Sequence, residues 1–169
     1  MALSEALLPE FDQKMANTRK TLERVPDGKF DWKPHEKSCS ISWLAGHIAS
    51  IAGWTVETTD MDIFDMAPNG VMMQPPPPPK TRKELLEQFD RDVAKAGKAL
   101  AGASDAHLLK DWSSKNNGQV LFSMPRIACL RTRVMNHNIH HRAQLGLYLR
   151  LNNIPVPAIY GPSADEGSM

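Results

Sequence analysis

The sequence predicts an all-α protein, a four-helix bundle, and three observations carry that prediction. Apolar residues recur at three- and four-residue steps in four separate stretches, no convincing period-two alternation competes with them, and one proline run of linker length separates the second stretch from the third. With 169 residues, 41% apolar and 23% charged, the composition is that of an ordinary globular chain, and a single domain over 1–169 is expected.

The first helix is expected from about Leu3 to Arg24, with Leu7, Leu8, Phe11, Met15, Thr18 and Leu22 on one face before the turn-rich VPDGKFDWKP. A second is expected from near Ser40 through ISWLAGHIASIAGWTVETTDMDIF, where Leu44, His47, Ile51 and Trp54 share a face. The linker from Asp65 to Lys80 holds QPPPPPK, which cannot continue a helix and favours polyproline II. A ligand for a proline-binding module is one reading of it. A stiff loop across the end of a bundle is the simpler one, because the only basic flanking residue is Lys80.

Thr81 with Glu84 three residues on is the pattern of a capping box, and it should open the third helix. Leu85, Phe89, Val93, Ala96 and Leu100 form its stripe, and Gly102 should end it. Residues 103–122 read as a loop with a turn signal in NNG and a short extra turn near 105–110. The last helix should run from Ser123 or Met124 to Asn152, with Ile127, Leu130, Val134, His137, His141, Gln144, Tyr148 and Leu151 forming a strict seam. The tail beyond it, broken by Pro and Gly, is expected to pack as an irregular arm.

Several function classes are disfavoured. The apolar runs are too short to span a bilayer, so no membrane association is expected. The N-terminus lacks the basic region of a signal peptide, which makes the expected location cytoplasmic. Two distant cysteines, Cys39 and Cys129, make neither a disulfide framework nor a zinc ribbon. Net charge is +1, yet residues 112–164 carry six basic residues and no acidic ones. Those arginines are expected to pair with acids of the first half. No basic block with interleaved aromatics points to nucleic acid.

The chemistry sits in the histidines. His137 and His141 lie at i and i+4 on the seam of the last helix, so both rings can reach one cation, while His140 lies about 100° away and should face solvent or a neighbouring helix. Inward imidazoles need hydrogen bonds, water or a metal ion. His47, on the inward face of the second helix, is the third candidate ligand. Three neutral nitrogen donors leave coordination positions open for water or substrate, as catalytic sites do. Glu57, Asp60 and Gln144 are the candidate residues to orient the ligands. His35 and His107 read as surface residues.

WLAGHIA, followed by HNIHHRAQLGLYLRL and IPVPAIYGPSADE, resembles the DinB-like (DinB/YfiT) superfamily of metal-dependent enzymes over nearly the whole chain. The HxxHHRxQ core carries the resemblance most specifically, and Ala143 stands where the family usually has glycine. The resemblance implies a bundle of up-down-down-up topology, served by the long Pro-rich linker between helices two and three. It implies His47, His137 and His141 as ligands of a divalent ion, Ni or Zn. It also implies a homodimer acting on a small molecule, with thiol-dependent transfer from a low-molecular-weight thiol as one chemistry. A metal-dependent hydrolase and a non-enzymatic metal-binding bundle are the alternatives.

Overall fold

Two helix starts follow from side-chain caps. In the computed structural model, which describes residues 1–167, Ser40 Oγ accepts from the Trp43 N–H and Thr81 Oγ1 from the Glu84 N–H. These caps open α2 (Ile41–Ile51) and α4 (Arg82–Gly102). The Glu84 carboxylate reaches back to the Lys80 N–H rather than to the cap residue, so only half of the expected capping box forms. The other main elements are α1 (Leu3–Leu22), α3 (Trp54–Asp60), α5 (Asp105–Leu109), α6 (Arg126–Cys129) and α7 (His137–Leu151), with a π-helical segment, Leu130–Asn136, joining the last two. Leu7, Phe11, Met15, Leu22, Leu44, Ile48, Leu85, Phe89, Leu100, Leu145 and Leu149 fill the core between α1, α2, α4 and α7. No helix among the described residues is long and apolar enough to cross a membrane.

The all-α expectation is overturned. A three-stranded mixed sheet, β1 (Ile63–Asp65), β2 (Asp111–Asn116) and β3 (Gln119–Pro125), stands beside the helices, so the chain is not a pure four-helix bundle of the expected topology. β1 pairs parallel with β2, and β2 antiparallel with β3. The NNG turn signal is real, but it closes a hairpin. Asn117 and Gly118 take φ of 50° and 77°, the left-handed pair of a two-residue hairpin turn, with Asn116 opposite Gln119. The strands escape a periodicity reading because the buried positions of β2 are Trp112 and Ser114, and only one of them is apolar.

The second expected helix also differs. It breaks at Ala52–Gly53 into α2 and α3, and its final residues become β1. Arg126, fully buried, ties the two regions together. It donates to the carbonyls of Thr58 (2.9 Å), Met61 (3.0 Å), Lys110 (3.2 Å) and Asp111 (3.1 Å), and pairs with Asp62. Arg131 pairs with Glu10 and Arg133 with Glu57, so three of the basic residues find acids of the first half, whereas Arg150 pairs with Asp165 of the tail and Arg142 with no acid.

Candidate metal centre

The π segment decides how the histidines are presented. Its wider turns carry more residues per turn than an α-helix, so the faces of the helix slip by about one residue across it. Leu130 and Val134 are buried, as the seam requires. Beyond the segment the buried positions are Asn138, Arg142, Leu145 and Leu149, each one place past His137, His141, Gln144 and Tyr148. The strict seam therefore does not persist, and Leu151 is exposed. The consequence favours chemistry: His137 and His141 are half-buried at the edge of the core instead of sealed within it.

There they meet His47. Its Nε2 lies 3.3 Å from His137 Nε2, which lies 2.7 Å from His141 Nε2. One ligand atom from each of the three falls within 4.8 Å of the others. His141 Nδ1 donates to Gln144 Oε1 at 2.7 Å, which leaves its Nε2 lone pair directed at the other rings. The His47 ring stacks on Trp43 with centroids 5.0 Å apart, and Trp54 lies edge-on to both His47 (5.4 Å) and His137 (5.2 Å). Burial, followed by the neighbouring His141 and His137, pushes the His47 pKa down to about 4. Burial also lowers that of His137, against an opposing hydrogen bond to the Arg133 backbone. Both rings are neutral at pH 7, the form that ligates metal.

This donor set fits a divalent ion. Nitrogens at ~2.0–2.1 Å from a tetrahedral ion stand about 3.3 Å apart, close to the His47–His137 separation. The Nε2 atoms of the three rings, pointed at one another, have little else to satisfy them.

A cavity of about 680 Å³ opens beside the cluster, lined by His47 and His137 together with Trp54, Phe64, Phe122 and Met72 among others. Pro75 and Pro76 of the proline run are part of its lining. Pro75 to Pro79 border a smaller pocket with Trp43 and His47. Gly46 allows this contact, because a Cβ there would stand 2.7 Å from Pro79 Cδ.

Of the residues expected to orient the ligands, Gln144 does so. Glu57 instead pairs with Arg133 at 3.1 Å and lines the cavity, while Asp60 is exposed and accepts from the Thr59 hydroxyl. His140 and His35 are exposed as expected, whereas His107 is half-buried and bonds the Thr59 carbonyl at 2.7 Å. Arg142 is turned away, donating to the Lys14 carbonyl and to the hydroxyls of Thr18 and Tyr160. Arg133 went unnoticed in the sequence. Its guanidinium lies 4.5 Å from the Trp54 ring centroid and 5.0 Å from that of Trp112. The signal was available, since Arg133 precedes His137 by the same i, i+4 step that links the two histidines.

The helices bring three histidines together beside an open cavity. The DinB superfamily profile matches residues 10–145, and the chain belongs to that superfamily. Among solved structures it is similar to a DinB-like protein from Bacillus cereus, with 20% identity, a TM-score of 0.72, and 92% of this chain and 97% of that one covered. It is also similar to a DinB-like protein from Bacillus subtilis, with 18% identity, a TM-score of 0.68, and 92% and 99% covered. These likenesses show the fold. No curated protein matches the chain.

Proposed function

We propose that the protein is a metal-dependent enzyme acting on a small molecule, with His47, His137 and His141 as the ligands of one divalent ion. The observation that carries this reading is the convergence of three imidazole nitrogens at the edge of a cavity large enough for a substrate. Nitrogen donors suit Zn or Ni, the two ions named by the reading. A bound ion would supply Lewis acidity that turns a thiol or water into a nucleophile at neutral pH.

The chain's own residues account for the rest. Neutral His47 and His137 offer lone pairs without first losing a proton. Gln144 fixes the His141 tautomer. Trp43 stacks on the His47 ring and Trp54 meets it edge-on. Thiol-dependent transfer, with a low-molecular-weight thiol as cosubstrate and a homodimer as the working form, is the finer proposal; hydrolysis is its alternative.

Metal content measured on protein purified without a histidine tag tests the reading. Stoichiometric Zn or Ni, and a rise in melting temperature when either is added to stripped protein, are the expected results. His137→Leu should abolish both. Wild-type protein with no bound metal and no thermal response would sink the proposal, and a more stable His137→Leu variant would favour a non-enzymatic bundle. Turnover assays with bacillithiol, mycothiol and glutathione, beside ester and amide substrates, separate transfer from hydrolysis.

A further inference from the structure

The cavity beside the histidines has one charge without a counter-ion. Glu57 is matched by Arg133, and that guanidinium is already packed against the Trp54 and Trp112 rings. On the α4 wall, Gln88 and Asp92 stand at i and i+4, so they project side by side, and both line the cavity with His47 and His137. Each is half-buried. Among the described residues, Asp92 has neither an ion pair nor a hydrogen bond. The cations nearest along the helix, Arg91 and Lys95, influence it only through space.

The position of the carboxylate is set by the break between α2 and α3. Asp92 Cγ lies 3.5 Å from where a Cβ on Gly53 would stand, and Gly53 directly precedes Trp54, whose ring touches His47 and His137. Asp92 therefore borders the same space as the metal centre. Partial burial disfavours its charge, and its pKa is raised accordingly. A carboxylate kept in such a place without a protein partner calls for a partner from outside. Of the surrounding aromatic wall, Trp54 and Phe64 already face the Arg133 guanidinium, and Phe122 adds apolar surface for the body of a ligand. With Glu57 matched by Arg133, the unpaired charge that a ligand meets on the α4 wall is that of Asp92.

We propose that Asp92, assisted by Gln88, selects substrates carrying a protonated amine on an apolar or aromatic body. The inference rests on the reading of this cavity as the substrate site. Asp92 accepts from the ammonium group, Gln88 offers a further acceptor, and the aromatic wall receives the body. Asp92 is thus a specificity-determining residue.

Calorimetric titration with four probes tests this: phenethylammonium, benzyltrimethylammonium, phenethyl alcohol and benzoate. The quaternary cation has neither a lone pair to ligate a metal nor an N–H to donate, so it isolates the charge attraction of the carboxylate from its hydrogen bond. The wild type should bind both cations more tightly than the alcohol, and benzoate least well. Asp92→Asn should weaken both cations by about tenfold or more, as loss of a charge-assisted contact does, and leave the alcohol unchanged. Asp92→Ser should repeat the loss, and melting temperatures verify that both variants are folded. Chelator-stripped wild type should keep its affinity for the quaternary cation, so failure of the metal reading would appear separately, as cation binding without bound metal. Cation affinities unchanged in Asp92→Asn, benzoate binding as tightly as the cations, or no cation binding by the wild type at millimolar probe would each overturn the proposal.

Discussion

His141 Nδ1 and Gln144 Oε1 are 2.7 Å apart, and this bond decides which nitrogen His141 presents to the other two histidines. An amide oxygen can only accept, so the proton sits on Nδ1 and the lone pair on Nε2. Removing the amide should release both the ring orientation and the tautomer. Gln144→Leu is expected to weaken Zn or Ni affinity by about 10–100-fold, read by competition with a chromophoric chelator. Unchanged affinity would mean that packing alone orients His141.

Acid should destabilise the metal-free protein through His47. Its folded-state pKa, about 4, lies below the ordinary value of 6.5. Between those values the unfolded chain binds a proton that the folded chain refuses. The stabilisation is thus fully present above pH ~6.5 and is lost as pH falls toward 4. With the ring part exposed, solvent screening limits the loss to about 1–2 kcal/mol. The His137 pKa, also lowered, adds in the same direction. Denaturation curves from pH 7 to 4 on stripped wild type and His47→Gln check this; the variant should show a shallower decline.

Gly46→Ala sets two effects against each other. Alanine in a helix interior is favoured over glycine by about 1 kcal/mol. The new Cβ would stand 2.7 Å from Pro79 Cδ, a contact that the rigid, buried proline ring cannot easily relieve. Overpacking of this kind costs about 1–3 kcal/mol, so the clash should win. A lower urea midpoint, together with altered fluorescence from Trp43 beside the proline run, is the expected outcome.

Arg126→Met should be the most damaging of these changes. It removes the donor from four backbone carbonyls and leaves those of Thr58, Met61, Lys110 and Asp111 to find other partners. A loss of at least about 3 kcal/mol is expected in thermal or urea denaturation. A loss below 1 kcal/mol would show that water replaces the guanidinium without strain.

The sequence by itself determined most of the helical frame, the cap at Thr81, and which three of six histidines belong together. Each of these is a local property. Helical hydrogen bonds close within a few residues, so apolar steps and caps are written in the stretch that uses them. The three histidines were legible because the apolar three- and four-residue steps of two helices placed them on or beside the faces turned to the core.

Only the tertiary structure decided the sheet, the presentation of the histidines and the chemistry of the cavity. β1 takes its partner from β2, fifty positions later, and the buried face of β2 mixes Trp112 with Ser114, so nothing within either strand announces the pairing. The π segment shifted the buried face by one residue, which moved His137 and His141 to the core's edge and buried Asn138 and Arg142 in their place. Arg133 and Asp92 acquire their meaning from neighbours on other elements, one matched by Glu57 and one unmatched. Whether a charge is paired depends on what the fold sets against it, and that cannot be read along the chain.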